Sequence, residues 1–212
     1  MNVLIIGATG LVGKEILKLA LEASEVTLVK VFVRRSTNLI HPKLEEHIVD
    51  FNQIDSWKSK LNGDILFSAM GTTEKIAGSK EAQFRVDYEY QYHVARAARE
   101  NGVSGLVLIS STGADAGSPF FYLKTKGQLE EALKKLNFKS LIIMRPSLLE
   151  GQREQQRSGE KFSHFFLSKL PKVKLLARML PVEGRQVALK SLEVARQRAT
   201  GTVTLEAADI LF

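Results

Sequence analysis

The sequence predicts an α/β fold: a doubly wound parallel sheet with helices on both faces and a small helical elaboration at the carboxyl end. Three observations predict it. Short apolar runs rich in branched residues alternate with stretches of helical periodicity along most of the 212 residues. The runs are nearly continuous in apolar character, as strands buried on both faces require. A glycine-rich turn follows the first run at once. At this length one domain with its own core is expected, and 44% hydrophobic with 25% charged residues is an ordinary globular composition.

The elements follow in order. Residues 3–6 read as a buried strand. Residues 11–23 then place Leu11, Ile16, Leu17, Leu19 and Ala20 at helical spacing. A second strand is expected over 26–33, a weaker third over 47–50 and a fourth over 64–70. Residues 81–100 form a long helix that Asn101-Gly102 stops. A fifth strand over 105–110, a helix over 122–136 and a sixth strand over 139–145, ended by Pro146, complete the alternation. After Gly151 the pattern changes to basic helical segments, about 160–178 and 184–199, and a last short strand near Val203. With no internal repeat and no linker, residues 1–212 are expected to be one domain, with 151–212 packed on its substrate side.

Composition removes several kinds of chemistry. There is no cysteine, so disulfides, a thiol nucleophile and thiolate metal sites are excluded. His41, His47, His93 and His164 are scattered and form no metal-binding pair. No apolar run approaches the length of a membrane span, and the amino terminus has no basic leader, so a cytoplasmic protein is the expectation. The net charge of +7 is uneven: residues 1–150 carry +2 and residues 151–190 carry +6.

In a doubly wound sheet, ligands bind beyond the carboxyl ends of the strands, near the point where strand order reverses. The loop after the first strand is Gly7-Ala8-Thr9-Gly10-Leu11-Val12-Gly13, running straight into a helix. Glycine permits positive φ and close approach of a diphosphate to the backbone. The helix N-terminus supplies unpaired N–H donors and partial positive charge. The third glycine lets the helix sit close on the strand. Strand, turn and helix together make this a dinucleotide site, where three glycines alone would not. The second strand ends in Val33-Arg34-Arg35, with Arg34 21 residues beyond Gly13. An acidic residue near this position holds the ribose 2′-hydroxyl of NAD, whereas arginine suits a 2′-phosphate, so NADP(H) is the expected cofactor. Asp50-Phe51 is read either as flanking the adenine or, for Phe51, as core.

The fifth strand runs into Ser110-Ser111-Thr112-Gly113, and Tyr122 lies 11 residues beyond Ser111 with Lys126 four further on. Residues i and i+4 share a helix face, which sets phenol beside ammonium. A phenol with a pKa near 10 is a poor base at neutral pH, and a nearby lysine charge stabilises the phenolate. A serine hydroxyl nearby can hold a substrate carbonyl while Tyr122 passes a proton and the cofactor passes hydride.

With these stretches assembled, the chain resembles an atypical short-chain dehydrogenase/reductase. It is most similar to the branch of Tat-interacting-protein oxidoreductases and their small bacterial relatives. The matching stretches are 7–13, Val33-Arg34-Arg35, Leu-Phe-Ser-Ala-Met-Gly-Thr-Thr at 66–73, residues 110–126 with Tyr-Leu-Lys-Thr-Lys-Gly, and Arg145-Pro146 through Gly159. Together they span about three quarters of the chain. The resemblance implies a Rossmann fold binding NADP(H). Thr9, Gly10, Leu11 and Val12 would line the diphosphate, Arg34 and Arg35 the 2′-phosphate, and Met70 and Gly71 the cofactor ribose. Tyr122 would donate the proton and Lys126 would hold the nicotinamide ribose. Leu149 would lie under the nicotinamide, and Arg157 would reach cofactor or substrate. The interval from serine to tyrosine is shorter than in most such reductases. That leaves Ser110, Ser111 and Thr112 as alternatives, with Ser111 favoured.

Residues 160–181 interleave aromatic and aliphatic residues with lysines. A helical lid over the substrate pocket is the preferred reading, a protein or membrane-surface partner the second, and nucleic acid the last. Pro171 interrupts any continuous helix there. Two functions therefore stand: an NADPH-dependent oxidoreductase acting on a small carbonyl substrate, or an NADP(H)-sensing regulatory or scaffold protein without turnover.

Overall fold

Seven strands pair side by side, all parallel, in the computed structural model, which describes residues 1–150, 181–197 and 199–211. In chain order the elements begin with β1 (Asn2–Ile6), α1 (Leu11–Glu22), β2 (Leu28–Val33), β3 (Leu44–Ile48) and β4 (Ile65–Ser68). A short α2 (Glu74–Ala77) follows. Then α3 (Lys80–Phe84) runs through a π turn at Arg85–Glu89 into α4 (Tyr90–Glu100). The chain continues through β5 (Gly105–Ile109), α5 (Phe121–Lys134), β6 (Ser140–Arg145) and β7 (Leu149–Glu150). The carboxyl part holds β8 (Val182–Glu183), α6 (Gly184–Gln197), β9 (Gly201–Glu206) and α7 (Ala207–Leu211). The sheet order is β3-β2-β1-β4-β5-β6-β9, the doubly wound order with one strand added beyond β6.

Alternate residues of the inner strands feed two cores. Val3, Ile5, Val29, Val31, Phe67, Val107 and Ile142 face α1 and α6, where they meet Ile16, Leu17, Val187 and Leu192. Leu4, Ile6, Phe32, Leu66, Leu106, Leu108 and Ile143 face α4 and α5, against Val94, Ala98, Leu129 and Leu133. Both faces are apolar because both are covered, which is why the strands read as continuous runs.

The third strand starts three residues earlier than expected and ends two earlier, at Leu44–Ile48. It is an edge strand paired only with β2, so Glu45 and Glu46 cost little there and the apolar pattern is weak. The second strand begins at Leu28. The expected helix over 184–199 is α6, and the strand near Val203 is β9, parallel to β6. The expected helix over 160–178 lies outside the described residues.

Candidate functional site

Strand order reverses between β1 and β4, and the turns that leave these strands flank the crevice there. Gly7 has φ +80°, and a Cβ on it would lie 2.5 Å from the Ala69 carbonyl carbon. A Cβ on Gly13 would lie 2.0 Å from the Gly7 oxygen. Packing alone therefore demands these two glycines. Gly10 differs: the nearest atom to a Cβ there is the Gly7 oxygen at 3.3 Å, so its missing side chain leaves room beside the helix start. Gly10 is also the N-cap of α1, with no side-chain cap and no acidic residue in the first turn. Unpaired N–H donors and the positive helix end thus face that room, with Thr9 exposed and Leu11 half-buried beside it. This donor set fits a diphosphate.

Arg34 and Arg35 follow β2 directly, both exposed and without a hydrogen bond or ion pair among the described residues. The nearby carboxylate, Glu46, is already taken. It accepts the Thr37 amide at 2.7 Å and the Thr37 hydroxyl at 2.6 Å. Burial works against its charge, yet bonds from Ser36 and Thr37 hold its pKa below the usual value. Phe51 is buried on Trp57 and Tyr90, so of its two readings the core one holds.

Two polar stripes meet across the far side of the crevice. On α5, Tyr122, Lys126 and Glu130 follow one another at i+4 spacing. Tyr122 is half-buried, and its hydroxyl makes no hydrogen bond among the described residues. Lys126 is only 2% exposed; its ammonium lies 6.0 Å from the Tyr122 ring, 3.4 Å from the Met70 carbonyl and 3.6 Å from Asp87 Oδ1. Gly127, the glycine of Tyr-x-x-x-Lys-Gly, lets the Asp115–Ala116 backbone lie on the helix, where a Cβ would come within 2.2 Å. The second stripe is Gln83, Asp87 and Gln91 on the long helix, all buried.

The strand ends beneath are tied to these stripes. Ser68 donates to Gln91 at 2.8 Å, and Ser110 donates to Glu130 at 2.5 Å. Arg145 binds Glu130 at 2.6 Å and Glu206 at 3.1 Å. Hydrogen bonding to Glu130 is the largest cause of its raised pKa. Thr112 donates its hydroxyl to the Arg145 carbonyl at 2.9 Å. Of the three alternatives, Ser110 and Thr112 are therefore committed to the protein. Ser111 is half-buried, with one 3.4 Å contact to the Thr112 carbonyl.

Met70 and Gly71 lie just past β4 at the crevice, Met70 half-buried and Gly71 exposed. Leu149 is carried by the short β7–β8 pairing with Val182, and the next residue but one, Gly184, packs on Leu11 of the glycine turn. Arg157 and all but the last residue of the 160–181 segment lie outside the described residues.

Sequence reasoning missed Asp87 and Glu130. The signal for Glu130 was present, since it continues the four-residue spacing of Tyr122 and Lys126. Asp87 sits in a π turn, yet it keeps a spacing of four from Gln83 and Gln91, a polar stripe in the sequence whose partner on the facing helix only the fold supplies. Among the described residues no cluster suited to a metal is found, and no helix is long and apolar enough to cross a membrane.

Comparison with known proteins agrees with this frame. Residues 7–172 match the NAD(P)H-binding family. The chain is 38% identical over 180 residues to the protein FMP52, mitochondrial, of Meyerozyma guilliermondii, covering 84% of this chain and 75% of that one. It is 33% identical over 207 residues to its Candida albicans counterpart, covering 95% and 90%. These relatives are named mitochondrial, which overturns the cytoplasmic expectation. Among solved structures, MoeE5 in complex with UDP-glucose and NAD superposes with a TM-score of 0.71 at 16% identity, over 97% of this chain and 75% of that one. A UDP-galactose 4-epimerase gives 0.72 at 16%, over 97% and 77%. At such identity these two structures speak for the fold alone. The match to more than half of the chain, set beside the glycine turn and the strand order, makes this protein a member of the NAD(P)H-binding family with a Rossmann-type fold.

Proposed function

We propose that the chain is an NADP(H)-dependent oxidoreductase of the atypical short-chain dehydrogenase/reductase type, in the branch similar to Tat-interacting-protein oxidoreductases, and that it reduces a carbonyl substrate. The relatives' names make the mitochondrion the place proposed for it. The observation that carries the reading is the Tyr122 hydroxyl, unbonded among the described residues, on the same helix face as the buried Lys126 ammonium beside Met70.

NADPH, when bound, supplies the hydride. Gly7, Gly10 and Gly13 shape the diphosphate loop, with Thr9, Leu11 and Val12 around it. Arg34 and Arg35 offer guanidinium groups to the 2′-phosphate. Met70, Gly71 and Leu149 line the ribose and nicotinamide side, and Arg157, outside the described residues, would reach cofactor or substrate. Ser111 holds the substrate oxygen, Tyr122 delivers a proton to it, and Lys126 steadies the charge left on Tyr122. Residues 160–181 would form a lid.

The test is NADPH consumption over a panel of carbonyl compounds, with affinity followed by nucleotide fluorescence. Tyr122→Phe is expected to lower turnover by at least about a thousandfold while NADPH affinity stays within about twofold. A variant as active as the parent removes the catalytic assignment to Tyr122, whereas a parent that binds NADPH and consumes none over the whole panel leaves NADP(H) sensing without turnover as the surviving reading.

A further inference from the structure

Asp87 is fully buried and faces a lysine that is itself 2% exposed. It sits in the π turn at Arg85–Glu89, on one face of the long helix with Gln83 and Gln91. Its Oδ1 accepts the Thr72 amide at 3.1 Å and lies 3.6 Å from Lys126 Nζ; its Oδ2 accepts from Gln83 at 3.3 Å. Its backbone carbonyl accepts from Gln91 at 2.9 Å, and Gln91 in turn takes the Ser68 hydroxyl. The carboxylate thus joins the loop after β4 to the middle of α5, and the backbone carbonyl of the same residue reaches the last residue of β4 through Gln91.

An ammonium buried this deeply needs an opposite charge close by. Asp87 is the carboxylate that supplies it. The Met70 carbonyl and Asp87 both stand farther from Nζ than the 2.7–2.9 Å typical of charge-assisted bonds. An ammonium carries three N–H donors. Lys126 is therefore held in place by charge and yet keeps donor capacity beside Met70, at the edge of the crevice.

We infer that Asp87 is a positioning residue: it sets Lys126 and the 70–72 backbone in one arrangement, so that the lysine presents its remaining donors to the vicinal hydroxyls of a nicotinamide nucleotide. The inference rests on the role proposed above for Lys126. Asp87 itself touches neither substrate nor nucleotide.

A double-mutant cycle in the full chain tests it, with NADPH as the probe. Asp87→Asn keeps size and an acceptor for the Thr72 amide while removing the charge. Lys126→Met keeps chain length and removes the ammonium. Each single variant is expected to bind NADPH about tenfold more weakly, and the double variant no more weakly than either. Losses that multiply in the double variant overturn the inference, as does wild-type affinity in Asp87→Asn.

A urea-denaturation cycle on the same variants needs no nucleotide. Partial recovery of the midpoint in the double variant is expected, and strictly additive losses overturn the pairing. If the parent chain binds no NADPH, the oxidoreductase reading falls, while the urea cycle still decides whether Asp87 sets Lys126. Should Asp87→Asn not fold, hydrogen exchange of the Thr72 amide in Lys126→Met takes its place. Exchange about tenfold faster than in the parent is expected, because the carboxylate has lost its counter-ion, and unchanged protection overturns the inference.

Discussion

Gly10 and Gly13 belong to one turn, and each lacks a side chain for a different reason. A methyl on Gly13 would lie 2.0 Å from the Gly7 oxygen, an overlap that backbone cannot relieve, whereas a methyl on Gly10 would lie 3.3 Å from the same oxygen, a tight contact that a shift of a few tenths of an ångström relieves. Gly13→Ala is therefore expected to cost about 3 kcal/mol or more, as severe overpacking does. Gly10→Ala should melt within about 1 kcal/mol of the parent and bind NADPH at least about tenfold more weakly. Thermal melts and nucleotide titration on the two variants separate a glycine the fold needs from one the ligand needs. At this scale the sequence was most legible where a backbone demand excludes other residues, as in the glycine turn. It was least legible where one residue type suits two settings. Phe51 reads equally as adenine neighbour and as core, and the sequence favours Ser111 among the three hydroxyls at 110–112 without showing that Ser110 is bound to Glu130 and Thr112 to the Arg145 carbonyl.

The helices explain the site better than any single residue does. A spacing of four on α5 brings Tyr122, Lys126 and Glu130 onto one face, and that much follows from helix geometry. The π turn facing it does not, because widening a helix by one residue is favoured by tertiary contacts and leaves no propensity signature. Glu130 makes the consequence measurable. Its carboxylate is 1% exposed and joins Ser110 past β5, Arg145 on β6 and, through Arg145, Glu206 on β9. Glu130→Ala leaves Arg145 and Ser110 without their main partner. It should cost about 3–5 kcal/mol, the range for breaking one side of a buried pair. For a chain of this size that lowers the melting point by on the order of 10 °C. A loss below about 1 kcal/mol in urea denaturation would show that solvent at the half-buried Arg145 supports the network instead.

Across the whole molecule, the order of the strands makes a ligand site out of separate loops. Residues 7–13, 34–35, 70–72 and 110–126 are distant in sequence and come together because β2, β1, β4 and β5 are adjacent and parallel, so that all four loops leave the sheet at one edge. A nucleotide bound across that edge stabilises the entire fold. NADPH at about a hundredfold over its Kd adds about 2.7 kcal/mol. The melting point should then rise by roughly 5–10 °C. NADH at the same concentration should give a smaller rise, and Arg34→Ala should bring the two nucleotides together. Equal shifts from both nucleotides in the parent chain would remove the 2′-phosphate assignment to Arg34 and Arg35.

The sequence by itself determined the alternation of strands and helices, the coverage of the sheet on both faces, the glycine turn and the Tyr122–Lys126 pair. Each of these is a local pattern or a fixed helical spacing that leaves its mark on neighbouring residues. Only the tertiary structure decided where the edge strand β3 starts, which hydroxyls after β5 are tied to Glu130 and the Arg145 carbonyl, and that Asp87 stands opposite Lys126. Those outcomes depend on contacts between residues 15 to 39 positions apart, such as Asp87 with Thr72 and with Lys126. A partner at that distance imposes no period on the chain between, so it becomes visible only when the sheet brings the two ends together.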